Sequence, residues 1–491
     1  MNKTVKRYLF LFHRWFGIAM CLLIALWFAT GIIMMYVEYP ELMEDERLAM
    51  LPLLPAQQVR IDVAAAASRL ETQQDDFASI RLSTTLGRPA YQFVTADGGI
   101  QTVFADDGSV LHEITPAQAE IAVQDSGFVD HQPESSDEGA QHLATLDIDQ
   151  WTVSSVLDPH RPLHKVAMKD PAGTIVYVSG VSGQIVRDTT RNERFWNWLG
   201  STIHWIYPWQ LRRHADLWAN IIIYISLAGI VSVITGGIIG WMRLRIRKPY
   251  RGERITPYHG VQKWHHVLGL VSLLFLSTFM FSGLMSMAPW GIFDNTTSAA
   301  IPISRYKGGE ITDYASYPSV TSLATQSGVK EVEWMQLNGE GYLVLSRSST
   351  DKTVLGSTGE LTPADLRTHV EHAVTAMLPE SAVASTEVIT TYDNYYYSHH
   401  NRYWPLPVLR VKFADAEESW FHFDLSSGQA LNRLTHTDRV ARWLYNGMHS
   451  MDFTLLFQHR PIWDAFVIML CMIGAAFSVT SVWIGWRRLQ H

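Results

Sequence analysis

The chain has 491 residues, of which 47% are hydrophobic, and 39 Lys and Arg against 47 Asp and Glu give a formal net charge of −8. Because the basic residues cluster at the edges of apolar segments, the charge pattern argues against a nucleic-acid-binding protein. Two cysteines are too few for an iron–sulfur cluster held by four thiolates. Both lie inside apolar segments, so they form no disulfide framework for exported domains.

Four segments contain the roughly 20 predominantly apolar residues that are needed to cross a bilayer. They run approximately over Leu9–Val37, Ala219–Met242, Val261–Pro289 and Trp463–Trp486. The first is too long for the hydrophobic region of a signal peptide and lacks a convincing small-residue cleavage site, so it predicts a retained helix. The predicted fold is a membrane bundle of four transmembrane helices that carries two exported α+β domains.

The predicted domain organisation has seven parts. They are transmembrane helix 1 (1–37), a first exported domain with an interfacial helix (38–215), transmembrane helix 2 (216–242), a basic cytoplasmic link (243–258), transmembrane helix 3 (259–289), a second exported domain with an interfacial helix (290–461), and transmembrane helix 4 with a cytoplasmic tail (462–491). Lys and Arg concentrate before span 1, in the link and after span 4. The positive-inside rule then predicts a bacterial inner-membrane protein with cytoplasmic termini and periplasmic large loops.

Two sequence patterns recur at constant offsets, which indicates an internal duplication. The first set reappears 245 positions later: Trp198, His204, His214, Trp218 and Trp241 correspond to Trp443, His449, His459, Trp463 and Trp486. The second set reappears 252 positions later: His13, Gly17, Gly31 and Met35 correspond to His265, Gly269, Gly283 and Met287. The repeated unit is a span, an exported domain and a second span.

Each exported domain is predicted to contain helices that are followed by strands. For the first domain the predicted elements are a helix over Asp62–Leu70, strands near Ile80–Ser83, Ala90–Thr95 and Ile100–Ala105, a helix from Thr115, a polar loop over Gln124–Thr145, and strands near Trp151–Ser155, Lys165–Met168 and Thr174–Val178. In the second domain, Thr362 followed by Pro363 matches the helix start at Thr115.

The second half carries the most specific motifs: Tyr392–Trp404, Pro405-Leu-Pro-Val-Leu-Arg410-Val, Asp424 to Gly428, and Arg442-Trp-Leu-Tyr-Asn-Gly-Met-His449. A small exported α+β module followed by an interfacial Trp/His helix and a span resembles the PepSY-associated transmembrane proteins, over nearly the whole chain. Members of that family are often iron-regulated inner-membrane proteins, and some resemble haem-containing reductases of ferric siderophores. The resemblance therefore implies a membrane protein of iron metabolism.

His13 in span 1 and His265 in span 3 lie at matching depths, about two turns inside the basic edge. An ionisable side chain in a span is costly and tends to face a cavity, a partner or a cofactor. Neutral imidazole is a standard haem ligand, so this pair predicts the axial ligands of a b-type haem, with His266 as the alternative to His265. Gly17 and Gly269, one turn further along, would leave room for the flat macrocycle. Alternatively, the histidines bridge helices and the glycines permit close packing.

A second haem site is predicted near the opposite face. Residues 13 to 37 already cover about 36 Å as a helix, more than the ~30 Å hydrocarbon core. The candidates are two pairs of histidines, with two arginines that would hold haem propionates: His204 with His449, His214 with His459, and Arg213 with Arg460. The alternative is that these residues are interfacial anchors in an aromatic belt.

Two haem b groups, one near each face, predict a transmembrane reductase that passes electrons from a quinol or a cytoplasmic donor to ferric iron or a ferric siderophore outside, in support of iron uptake. No Gly-rich dinucleotide motif follows a strand, which is why the donor would be a quinol or a separate protein. Candidates for contacting a ferric chelate with anionic arms are Tyr395, Tyr396, Tyr397 and Arg402, with His399 and His400 as transient iron ligands. The alternative for this segment is a packed aromatic face.

Two other classes of function remain open, and no catalytic residue is assigned. In the first, the protein is a non-enzymatic accessory to an iron transporter or a regulator of an exported peptidase, and its histidines are structural. In the second, metal passes through the bundle, but the spans lack the buried carboxylates expected along such a path. Beyond the membrane lipids, the predicted partners are therefore the electron donor, the ferric chelate and an iron transporter.

Overall fold

A computed structural model describes residues 2–70, 77–127, 139–292, 301–309, 311, 314–319, 326–398 and 404–490. Four helices in it are long and apolar enough to cross a membrane: α1 (Lys3–Met34), α7 (Ala215–Arg243), α8 (Gly260–Met285) and α13 (Ile462–Leu489). Only 22% to 28% of the most apolar stretch of each helix is buried within the molecule, so most of this apolar surface is left for lipid tails. The prediction of four spans is confirmed.

The four membrane helices form a bundle in which α1 and α8 each pack against both α7 and α13. Consequently α1 and α8 lie diagonally across the bundle. Its core holds Met20, Phe28, Leu276 and Cys471, among other apolar side chains. Any residue that points inward from α1 therefore faces a residue that points inward from α8.

Eight strands form one antiparallel sheet with the order β12-β11-β10-β9-β1-β2-β3-β4. The strands are β1 (Phe77–Thr85), β2 (Arg88–Thr95), β3 (Ile100–Phe104), β4 (Val110–Leu111), β9 (Glu331–Leu337), β10 (Glu340–Ser346), β11 (Lys352–Gly356) and β12 (Gly359–Glu360). The two extramembrane regions join where β1 pairs with β9, with Ile80 opposite Trp334 and Leu82 opposite Val332. These side chains belong to one shared apolar core, so the two regions form a single body.

Two smaller antiparallel sheets have the orders β5-β6-β7-β8 and β13-β14-β15-β16. Their strands are β5 (Gln141–Leu146), β6 (Leu163–Ala167), β7 (Ile175–Ser179), β8 (Ile185–Thr189), β13 (Val383–Ile389), β14 (Val408–Phe413), β15 (Trp420–Asp424) and β16 (Ala430–Leu434). A helix packs against each sheet: α4 (Pro116–Gln124) on the first and α10 (Pro363–Met377) on the second. Both begin with the predicted capping threonine, Thr115 or Thr362, whose side chain accepts from a backbone N–H in the first turn.

The remaining helices are short and connect these layers. They are α2 (Glu44–Met50), α3 (Val63–Ala67), α5 (Arg191–Asn197), α6 (Trp209–Arg212), α9 (Ile303–Lys307), α11 (His436–Arg442) and α12 (Thr454–Phe457). Both α5 and α11 lead from a small sheet towards the bundle, and they start the segments that carry His204 and His449.

Two predictions for the first extramembrane region are wrong. Trp151–Ser155 is not a strand, and the first strand of the small sheet is instead β5, which begins inside the stretch predicted as a polar loop. Since β5 is an edge strand whose side chains are mostly exposed, it lacks the apolar alternation that a half-buried strand shows. Residues 128–138 of the predicted loop lie outside the described residues.

A buried ion pair connects α2 to the centre of the large sheet. The Arg47 guanidinium donates to both carboxylate oxygens of Glu331 on β9 at 2.7 and 2.8 Å, and the Glu331 side chain is 3% exposed. Burial alone would raise the pKa of Glu331, but the attraction and hydrogen bonds of Arg47, together with the attraction of Arg81 and Lys352, hold that pKa below its usual value.

Replacing Glu331 by Gln should destabilise the protein by about 3 kcal/mol at pH 7, because the Arg47 guanidinium would lose its buried countercharge and keep only the half-exposed Glu44. The thermal unfolding midpoint of the purified protein in detergent measures the loss. Glu44→Gln is the matched control, since Glu44 also accepts from Arg47 but is 52% exposed. It should change stability by less than about 1 kcal/mol. Equal shifts for the two variants would contradict this account of the ion pair.

Candidate functional site

Four histidines form two pairs, one at each end of the bundle. His13 on α1 and His265 on α8 have ring centres 6.4 Å apart, with their planes at 35°. His204 and His449, which precede α7 and α13, have ring centres 6.2 Å apart, with their planes at 82°. We call these the basic-end pair and the domain-end pair. Each pair combines one imidazole from each half of the chain.

The distance between the two pairs is close to the thickness of a bilayer core. The domain-end pair contacts Thr30 on α1 and Ser282 on α8. Each of these residues is 17 positions beyond the histidine that its helix contributes to the basic-end pair. A helical rise of 1.5 Å per residue makes this separation about 26 Å, close to the ~30 Å hydrocarbon core.

A π-helical turn precedes each histidine of the domain-end pair. The turns are Trp198–Thr202, which follows α5, and Trp443–Gly447, which follows α11. Such turns contain an extra residue and are frequent at functional sites, where they change the direction in which the following side chains point. Here they bring His204 and His449 towards the bundle axis. Neither turn has a residue composition by which it could be recognised in the sequence.

Hydroxyl groups on α1 and α8 set the tautomer of the domain-end pair. The Nδ1 atom of His204 is 2.9 Å from Thr30 Oγ1, and that of His449 is 3.0 Å from Ser282 Oγ. Each hydroxyl also donates to a backbone carbonyl of its own helix, at 2.8 and 3.1 Å. Because the hydroxyl hydrogen is used there, the oxygen accepts from Nδ1–H of the imidazole. The Nε2 lone pair of each ring is thereby left for another ligand.

The basic-end pair is held in the same way. Nδ1 of His13 lies 3.2 Å from the carbonyl oxygen of Ser232, to which it donates. Nδ1 of His265 lies 3.3 and 3.2 Å from the hydroxyls of Thr480 and Ser481, which donate to a carbonyl of their own helix. All four imidazoles therefore use Nδ1 to bind a neighbouring helix and present Nε2.

Both rings of the domain-end pair are neutral. Burial, reinforced by the neighbouring His449, lowers the pKa of His204 to about 3. Burial also lowers the pKa of His449 below its usual value. Both shifts favour the neutral forms near pH 7, and neutral imidazole is the form that binds metals.

A cavity of about 880 Å³ adjoins the domain-end pair. Its wall is mainly apolar and aromatic and includes Trp27, Phe28 and Phe279. Gly31 and Gly283 also line it, where a Cβ atom would lie 3.8 Å from His204 Cε1 and 3.6 Å from His449 Cε1. The part of the chain that the structure describes has no group of three or more His, Cys, Asp or Glu side chains suited to a metal ion. The cavity therefore combines two imidazoles with apolar and aromatic walls.

The tyrosines of the predicted substrate segment line the same cavity. Tyr395 accepts from Trp443 Nε1 at 3.1 Å, and Tyr397 donates to Asp452 at 3.3 Å. Tyr396 stacks on His422 with ring centres 4.8 Å apart and is 2% exposed, as expected of the packed aromatic alternative. The structure thus places this segment beside the domain-end pair, which sequence spacing did not predict.

Three residues predicted for the same segment, His399, His400 and Arg402, lie outside the described residues. Among the described residues that line the cavity, the only charged side chains are the carboxylates of Glu38 and Glu41. The described part of the wall is therefore acidic rather than basic.

At the basic end, the predicted neighbours of the pair occupy different environments. His266 is hydrogen-bonded through both ring nitrogens, to Thr256 Oγ1 and to the carbonyl of Gly240, each at 2.9 Å. It therefore connects α8 to α7 and the basic link. A Cβ on Gly269 would lie 2.9 Å from the ring of Phe477, which also stacks on His265 with ring centres 4.9 Å apart. At Gly17 the nearest atom, Ser232 Oγ, is 3.9 Å from such a Cβ.

The other predicted outer residues lie at the surface, away from the cavity wall. His214 and His459 are exposed near the first turns of α7 and α13. Arg213 lies over the ring of Trp209 at 5.8 Å, and Arg460 is paired with Asp464 at 2.7 Å. Of the two outer pairs considered, His204 with His449 is the one that faces the cavity.

Together these features define a multi-pass membrane protein in which a four-helix bundle carries β-rich extramembrane domains and contains paired, neutral histidines. Residues 10–488 match the family model described as the PepSY-associated TM region. The chain therefore belongs to that family, and the resemblance noted in the sequence is confirmed over nearly its whole length. No curated protein matches the chain.

Proposed function

We propose that the protein binds two b-type haems and passes electrons across the bacterial inner membrane to ferric iron or a ferric siderophore, in support of iron acquisition. The observation that carries this proposal is the spacing of the histidines, with ring centres 6.2 and 6.4 Å apart. Two imidazoles that bind one metal ion from opposite sides, with metal–nitrogen distances of about 2 Å, have ring centres roughly 6 Å apart. Each pair would therefore hold one haem through its two imidazoles.

The domain-end pair fits a haem best. Its imidazoles are neutral, each Nδ1–H is engaged by a hydroxyl, and the adjoining cavity of about 880 Å³ has apolar walls. When bound there, a haem supplies a one-electron carrier. The hydroxyls of Thr30 and Ser282 would hold the orientation of the two imidazoles, and the aromatic wall would exclude water. Gly31 and Gly283 have no side chains, which leaves space beside the edges of the imidazoles.

The basic-end pair has the right spacing, but the ring of Phe477 fills the space beside Gly269. A haem at this end therefore requires that ring to turn away from His265. The other side, beside Gly17, is less crowded, because the small Ser232 occupies the position that Phe477 occupies 245 residues later. The number of haems per chain tests this part of the proposal.

In the proposed orientation, the basic end faces the cytoplasm and receives electrons from a quinol or a separate protein. The extramembrane domains lie in the periplasm, where Tyr395 and Tyr397 line the cavity that would contact the ferric chelate. The constant offsets support an origin by internal duplication.

A second candidate is a non-enzymatic protein that binds a partner in iron transport or an exported peptidase. The observation in its favour is β13, the outermost strand of its sheet, in which the first five of seven residues are exposed. An exposed edge strand is a template for pairing with an extended segment of another protein. The absence of haem from the purified protein would favour this candidate over the reductase.

The protein purified in detergent should show the Soret and α bands of low-spin bis-histidine haem in a reduced-minus-oxidised spectrum, with about two haems per chain by pyridine haemochrome assay. His449→Ala and His13→Ala should each remove part of the spectrum, because each removes one of the two imidazoles that would hold a haem. His459→Ala is the control, since this exposed histidine lies ten residues from His449 and away from the cavity wall. A wild-type protein without haem refutes the proposal.

Loss of the hydroxyl that orients His449 should weaken haem retention without abolishing it. We expect Ser282→Ala to release haem to apomyoglobin about ten times faster than wild type, since outer partners of ligating histidines typically contribute 10–100-fold. Ser277→Ala is the matched control, because its hydroxyl donates to a carbonyl of the same helix at 2.7 Å without touching a histidine. Equal rates of haem release from the two variants would show that Ser282 does not contribute to haem retention in this way.

A further inference from the structure

Each histidine of the domain-end pair is followed by a turn with an unfavourable backbone conformation. Ile206 and Met451, each two residues after its histidine, have φ angles of 49° and 55°. This left-handed region suits glycine, and a residue with a Cβ adopts it only when the surroundings hold it there. For the β-branched Ile206 it is a clear outlier. The same unusual turn thus occurs twice, beside the two imidazoles.

The indole of a tryptophan in the following membrane helix holds each turn. Trp218 Nε1, on α7, donates to the carbonyls of Trp205 and Ile206 at 3.0 and 3.1 Å. Trp463 Nε1, on α13, donates to the carbonyls of Ser450 and Met451 at 3.0 and 3.2 Å. Each indole therefore joins a membrane helix to the two residues that come directly after a histidine.

A third indole donates a hydrogen bond to the backbone of His204 and has no equivalent at His449. Trp27 Nε1, on α1, donates to the backbone carbonyl of His204 at 2.8 Å. The residue 252 positions later, Phe279, has no hydrogen-bond donor in its side chain and instead packs its ring 5.8 Å from that of His449. The backbone around His204 is therefore held by two indoles, and that around His449 by one.

We propose that Trp218 and Trp463 are positioning residues that keep His204 and His449 in place by holding these turns, and that His449 is the more easily displaced of the two. The inference rests on the proposed haem at this pair. Without the indole hydrogen bonds, the turn relaxes towards an ordinary φ and moves the histidine two residues before it. Since Trp27 supports only His204, the loss of one indole affects the two sides unequally.

If Trp218 and Trp463 anchored their helices at the membrane interface instead, replacement by phenylalanine would have a different effect. Tryptophans near membrane edges commonly anchor a helix at the interface through their amphipathic rings. An anchoring role depends on the ring and its position, and phenylalanine retains an aromatic ring. A positioning role depends on the indole N–H, which phenylalanine lacks.

The test is carbon monoxide binding to the full-length, dithionite-reduced protein in detergent, because carbon monoxide binds a bis-histidine haem only when one imidazole leaves. Trp463→Phe should increase the rate of carbon monoxide binding about ten-fold at unchanged haem content, the usual scale for partners that orient ligands. Trp218→Phe should have a smaller effect, and the double variant Trp27→Phe/Trp218→Phe should approach that of Trp463→Phe. Trp241→Phe and Trp486→Phe, at the other ends of the same helices and 74% and 62% exposed, are the controls.

A rescue variant separates the turn from general damage. Adding Met451→Gly to Trp463→Phe should restore slow carbon monoxide binding, because glycine holds the positive φ without help from the indole. Failure of this rescue overturns the role assigned to the turn, and it does so even if Trp463→Phe alone is too unstable to purify. A Trp463→Phe protein that behaves like Trp486→Phe overturns the positioning role while the haem proposal stands. Wild-type protein without haem overturns the haem proposal itself.

Discussion

Each histidine pair contains one imidazole from each half of the chain. The pairs therefore exist only if the fold holds the two halves together. The two rings of each pair lie about 6 Å apart, and α1 and α8, which supply the basic-end pair, are diagonal in the bundle. Outside the bundle, the pairing of β1 with β9 joins the halves through one sheet and one apolar core. Both arrangements reduce the freedom of the halves to move apart.

Hydrogen bonds to Nδ1 explain how polar rings are tolerated in an apolar bundle. An unpaired polar group in such surroundings costs several kcal/mol, so each imidazole needs a partner on a neighbouring helix. Thr30 and Ser282 provide it at one end, and Ser232, Thr480 and Ser481 at the other. The same bonds fix the tautomer, which means that the groups that make burial tolerable also leave Nε2 free for a metal.

Features that depend on local composition could be predicted from the sequence, and features that depend on distant contacts could not. The four spans, the capped helices at Thr115 and Thr362 and the depth of His13 follow from apolar length, capping residues and helical rise. The pairing of β1 with β9 joins residues about 250 positions apart, and no local pattern specifies it. The π-helical turns before His204 and His449 also depend on packing, and they are what separates this pair from the exposed His214 and His459.

The differences between the halves matter as much as their correspondence. The constant offsets give two imidazoles for each site, but the residues around them differ. Trp27, which donates to the backbone of His204, corresponds in position to Phe279, and Gly200 corresponds to Tyr445, whose ring stacks on that of His449. The Tyr395–Tyr397 segment also lines the cavity from the second half only. The backbone at His204 accepts hydrogen bonds from two indoles and the backbone after His449 from one, and the tyrosines belong to the half of the chain that carries His449.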